Sequence, residues 1–154
     1  MEQLGQELKE SPQDCYEQGI QALKQREPGQ AVSFLEKARS AYEEKGEYQN
    51  ALGAAYFLEE RYEEALNAFS QACTLVPKDP AYLEDLGNAL TALDRVQEAE
   101  DTYKRAMQLN PERPSPHLRL GCLAVYKQSN PFVATTYFTK AAELDPDSSE
   151  PWRR

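Results

Sequence analysis

Residues able to carry chemistry are scattered along this chain, and their spacing argues against most of it. Two carboxylate clusters stand out, Glu59-Glu60 with Glu63-Glu64 and Glu43-Glu44 with Glu47. Acids grouped in this way look like active carboxylates, able to move protons. Both clusters sit beside turn signals, where such runs are solvated helix ends. His117 is the sole histidine, and no Ser or Cys stands in a nucleophile motif that it could serve. Its expected role is packing. Cys15, Cys73 and Cys122 are odd in number and form no Cys-x-x-Cys pair, so they read as small buried hydrophobes in a reducing compartment. There is no phosphate-binding loop and no dinucleotide fingerprint. An enzyme is not expected, and neither is a cofactor or a metal.

What repeats in the chain is small residues, not reactive ones. Gly19, Gly53, Gly87 and Gly121 are each 34 positions apart. Behind them run Ala31, Ala65, Ala99 and Ala134, then Leu35, Phe69, Tyr103 and Phe138, then Ala38, Ala72, Ala106 and Ala141. Three repeats close on Pro77, Pro111 and Pro146. A period of this size belongs to stacked helix pairs. Two helices approach closely only where one carries a side chain small enough to admit the other. A Gly inside a helix costs about 1 kcal/mol against Ala, so its return at one phase four times implies a packing reason each time. The proline ends the second helix, since it cannot continue the hydrogen-bond ladder.

Start signals keep the same beat. Ser11-Pro12-Gln13-Asp14 approximates a capping box, Asp79-Pro80 opens a third pair, Ser115-Pro116 a fourth, and Asn130-Pro131 the last helix. Pro28-Gly29 marks a turn within the first repeat. Eight helices are predicted, near 13–25, 29–43, 47–59, 62–75, 80–93, 96–109, 116–128 and 131–144. Repeat four carries one extra residue, assigned to its inter-helix turn at 127–130. Leu4 and Leu8 offer a short helix to dock on the first repeat, or belong to a frayed tail.

Gly-x2-Tyr at Gly53 and Tyr56, with Ala65, Phe69, Ala72 and Pro77 behind it, resembles the tetratricopeptide repeat. Repeat three matches nearly as well through Gly87, Leu90, Ala99, Tyr103, Ala106 and Pro111. Repeat one has Glu43 where the closing proline belongs. The resemblance implies an all-α fold, an α-solenoid of antiparallel helix pairs. Its repeats would cover about 12–45, 46–79, 80–113 and 114–148, after a tail or short helix at 1–11. Residues 149–154 would be a cap or the start of a fifth repeat, because Trp152 falls where that repeat would place its leading aromatic.

In that family the partner lies on the concave wall built by the first helix of each pair. Carried over by phase, the groove positions are Tyr16, Ile20, Leu23 and Lys24 in repeat one and Asn50, Ala54, Phe57 and Leu58 in repeat two. Repeat three gives Glu84, Asn88, Thr91 and Ala92, and repeat four gives Leu118, Cys122, Val125 and Tyr126. Several are large and apolar where a solvated face should be polar, which is the mark of a protein-binding surface. Leu23, Phe57 and Val125 have an alternative role in packing against the neighbouring pair, and Asn88 one in the scaffold. Asn50 and Asn88 would bond the backbone of an extended peptide, having both donors and acceptors. The co-chaperone subtype that grips a carboxylate end needs Lys, Asn, Asn, Lys and Arg. This chain holds Tyr16, Ile20, Ala51, Glu84 and Asn88 instead, and Glu84 would repel the ligand.

Net charge is −9, with residues 1–100 at −11 and 101–154 at +2. An acidic body disfavours nucleic acid and anionic lipid, which call for cationic neutralisation. No apolar run approaches about 18 residues, so no membrane span is expected, and the polar start is unlike a secretory signal. The expected protein is a cytoplasmic scaffold that takes a peptide or helical segment of another protein. The alternatives are a small acidic secretion-type chaperone, whose known members have about three repeats, and an architectural module that self-associates through its terminal repeat.

Overall fold

The first helix begins on the box its sequence announces. Asp14 N–H donates to Ser11 Oγ at 3.1 Å, while Ser11 N–H donates to the Asp14 carboxylate at 3.1 Å. A computed structural model of the chain describes residues 10–147, so the expectations placed on Leu4, Leu8 and Trp152 fall outside the described residues. Eight helices follow in order: α1 (Pro12–Lys24), α2 (Pro28–Tyr42), α3 (Gly46–Leu58), α4 (Tyr62–Leu75), α5 (Pro80–Ala92), α6 (Val96–Leu109), α7 (Pro114–Tyr126) and α8 (Pro131–Leu144). No strand occurs among the described residues. Asp79 caps α5 by accepting from Ala81 N–H at 2.8 Å, and Asn130 caps α8 by accepting from Val133 N–H at 3.2 Å.

Two proline signals sit differently from expectation. The α7 helix starts at Pro114, not Pro116, because both prolines fit its first turn, where an N–H has no partner to lose. Pro28 and Gly29 likewise lie inside the first turn of α2, and the turn itself is carried by Arg26 at φ 57°.

Helices pair as α1 with α2, α3 with α4, α5 with α6 and α7 with α8, and each pair stacks on the next. Every periodic glycine faces the ring or branched side chain of its own second helix. A methyl group on Gly53 would come within 2.6 Å of Phe69, on Gly87 within 2.5 Å of Tyr103, on Gly121 within 2.5 Å of Phe138, and on Gly19 within 2.7 Å of Leu35. The alanine columns are equally enclosed, with Ala31, Ala65 and Ala99 all at 0 % exposure. Small residues therefore recur because one helix seats a bulky side chain against the bare backbone of the other.

The inter-helix turns share one device. Arg26, Glu60, Asp94 and Ser129 all adopt positive φ, between 52° and 61°. Just beyond, Glu27, Arg61 and Arg95 donate their N–H five residues back, to Ala22, Tyr56 and Leu90, at 2.9 Å each. In repeat four Asn130 N–H reaches six residues back, to Ala124, at 2.8 Å. That wider loop holds the extra residue. A side chain at positive φ is strained, so Glu60→Gly is expected to stabilise the fold by about 0.5–1 kcal/mol. A thermal melt checks this, and an unchanged or lower midpoint would mean the turn is unstrained.

Candidate functional site

The array has an inner and an outer wall. The first helices of the leading three pairs touch, α1 with α3 and α3 with α5, while no contact of that extent joins α2 to α4, α4 to α6 or α5 to α7. The first helices therefore line the shorter, concave side. Between the third and fourth pairs that side opens into a cleft of about 350 Å³, lined chiefly by Phe57, Asn88, Ala92, Arg119, Cys122 and Tyr126. Ala54, Phe57, Leu58, Asp85 and Asn88 line a second cleft of about 180 Å³ beside it, over Phe69. Phe57 and Asn88 belong to both and form the ridge between them.

Apart from Asn50 and Glu84, the expected groove positions divide into three groups. Ala54, Phe57, Leu58, Asn88, Thr91, Ala92, Cys122 and Tyr126 come together along these two clefts. Tyr126 is 80 % exposed, and Phe57 is half-buried with its ring edge-on to Tyr62 at 5.2 Å. At the first repeat, Tyr16 stacks on Tyr42 with ring centroids 4.7 Å apart, and Ile20 and Leu23 pack on the core, while Lys24 is exposed. At the other end Leu118 and Val125 are exposed and line neither cleft.

Three expectations need correction. Glu84 is buried, and Arg113 Nε donates to its carboxylate, so it neither lines an open groove nor repels an incoming acid. Asn50 gives its amide N–H to Asp85 at 2.9 Å, and Asn88 accepts from the Tyr103 hydroxyl at 2.8 Å. Both amides are therefore partly committed to the scaffold, and the donor of Asn88 is the freer of the two. Cys122 is exposed, unlike buried Cys15, because the position after the periodic glycine faces the cleft. Burial pushes the Cys73 thiol up to about 11 and the Cys15 thiol upward also, which suits inert side chains.

Sequence reasoning missed Asp85 and Arg119. Both stand two residues before a periodic glycine, a phase whose earlier occupants, Glu17 and Ala51, show no common character in sequence. Asp85 is pushed above the usual carboxylate range by burial, against the opposing pull of Asn50 and of the Arg119 and Arg113 charges. His117 is buried beside Tyr137, at 6.4 Å between rings, and neither ring nitrogen has a hydrogen-bond partner among the described residues. It fills space at the cost of an unsatisfied polar group, about 1–3 kcal/mol. Among the described residues no group of three or more His, Cys, Asp or Glu could hold a metal ion. No described helix is long and apolar enough to cross a membrane.

Comparison with known proteins bears on the family directly. One family model, described as TPR repeat, matches residues 53–94, and another, Tetratricopeptide repeat, matches residues 83–116. The chain thus carries tetratricopeptide repeats over residues 53–116. The human Protein O-mannosyl-transferase TMTC1 is 33 % identical over 101 residues, which is 63 % of this chain and 11 % of that protein. The chain thus spans about a tenth of the curated relative it matches, and the transferase activity in that name belongs to that protein. Among solved structures, MamA 41-end from Desulfovibrio magneticus RS-1 superposes with a TM-score of 0.83 at 23 % identity, covering 90 % of this chain and 78 % of that one. YrrB, described as a TPR protein with an unusual peptide-binding site, gives 0.80 at 21 % identity, covering 91 % and 72 %. At such identities these likenesses carry the tetratricopeptide superhelix and nothing finer.

Proposed function

We propose that this tetratricopeptide array, spanning about residues 12–148, is a protein-interaction scaffold that takes an extended segment of its partner along the two clefts of its concave wall. The observation that carries this is the Phe57 ridge. A half-buried aromatic stands between two adjoining apolar clefts, with the amide donor of Asn88 beside it and the 80 % exposed Tyr126 ring beyond. Apolar side chains set on a rigid concave wall, with a few polar groups to orient the ligand, are what peptide capture needs. The self-association and secretion-chaperone readings have no observation that favours them over this one.

Phe57→Glu and Tyr126→Glu are expected to abolish partner capture while helical content by circular dichroism stays at the wild-type level. Either change places a charge where the partner's apolar side chain must be desolvated. Unchanged capture by both variants would reject the concave wall as the binding surface.

A further inference from the structure

We infer that the segment held here is acidic at one point: an apolar side chain enters the larger cleft, and an adjacent Asp or Glu pairs with Arg119. This inference rests on the groove reading and specifies its ligand. Two cations line that cleft. Lys127 is already neutralised by Asp94 at 2.8 Å. Arg119 has no carboxylate within ion-pair distance among the described residues, although the chain as a whole is strongly acidic. Arg113, six positions earlier in the chain, is satisfied by Glu84. A guanidinium left open on an apolar-lined wall offers a planar fork of donors suited to a carboxylate.

The polarity of the groove also gives a direction. Arg119 faces the cleft between α5 and α7, whereas Asp85 lines the smaller one between α3 and α5. A cation therefore lines one cleft and an acid the other. An acid placed over the smaller cleft would meet Asp85, so the ligand carries its acid on the α7 side and an uncharged apolar residue on the α3 side. Asn88 stands between the two, with its amide donor turned to a ligand carbonyl and its oxygen held by Tyr103.

Selection of random dodecapeptides displayed on phage against the full chain tests this, run in parallel on wild type, Arg119→Glu, and the doubly substituted Phe57→Glu, Tyr126→Glu chain. Wild type is expected to enrich peptides pairing a large apolar residue with Asp or Glu. Arg119→Glu should keep the apolar preference and exchange the acid for Lys or Arg. In fluorescence anisotropy, changing the acid of the wild-type consensus peptide to Gln is expected to weaken binding about tenfold, an effect that added salt reduces. That peptide-side change leaves the protein's fold untouched. Apolar peptides enriched without acids, and unaltered by Arg119→Glu, would overturn the inference and leave the groove reading standing. Equal enrichment on the doubly substituted chain, or none on wild type, would overturn both.

Discussion

Phe69→Ala is expected to destabilise the protein by about 3–5 kcal/mol, the usual cost of emptying a fully packed aromatic site. The ring is 3 % exposed, lies against the backbone of Gly53, and floors the smaller cleft. Its loss removes burial and leaves a hole that two rigid helices cannot close. A melting midpoint about 6 °C or more lower should follow. Neighbouring pairs depend on one another in a stacked array, so the loss should spread beyond the second repeat. Any peptide binding should fall with it, because α3 and α5 set the spacing of the smaller cleft.

Gly87→Leu acts from the opposite side of the same kind of contact. The first atom of the new side chain would stand 2.5–2.8 Å from three atoms of the Tyr103 ring. Tyr103 has little room to move, being 2 % exposed with its hydroxyl tied to Asn88 at 2.8 Å and near Thr91 at 3.3 Å. Overpacking of this kind costs about 1–3 kcal/mol, more when the obstructing ring is held. The gain in helix propensity is roughly 1 kcal/mol and does not offset it. Since Asn88 is the next residue and lines both clefts, the damage should reach the groove as well as the melting curve. A wild-type melt for Gly87→Leu would mean that the glycine column does not mark helix crossings.

Much of this architecture is legible without coordinates. The glycine column names its own opposite numbers, because Leu35, Phe69, Tyr103 and Phe138 follow at 16 or 17 positions and are the groups each glycine faces. Ser11, Asp79 and Asn130 announce their caps for an equally local reason: a short polar side chain before a proline has few other uses. The groove is harder to read. Glu84 has an acid's surface preference in sequence, yet Arg113, 29 residues away, draws it under cover. Arg119 looks like one more surface charge, because its lack of an ion-pair partner among the described residues is a property of the assembled wall. Strain at Glu60 and Asp94 is invisible for another reason: no glycine marks the left-handed turn, and ordinary acids bear it.

The most direct measurement is a double-mutant cycle on Gly53 and Phe69, with unfolding free energies for the wild type, Gly53→Ala, Phe69→Ala and the pair. Alone, Gly53→Ala pushes a methyl group to 2.6 Å from the Phe69 ring. In the Phe69→Ala background that methyl group meets open space and retains only its helix-propensity gain. The expected result is a coupling of about 1 kcal/mol or more, with Gly53→Ala harmful in the wild type and neutral or stabilising once the ring is gone. Additivity within about 0.3–0.5 kcal/mol would contradict it, for then the recurring glycines would not be making room for the facing helix.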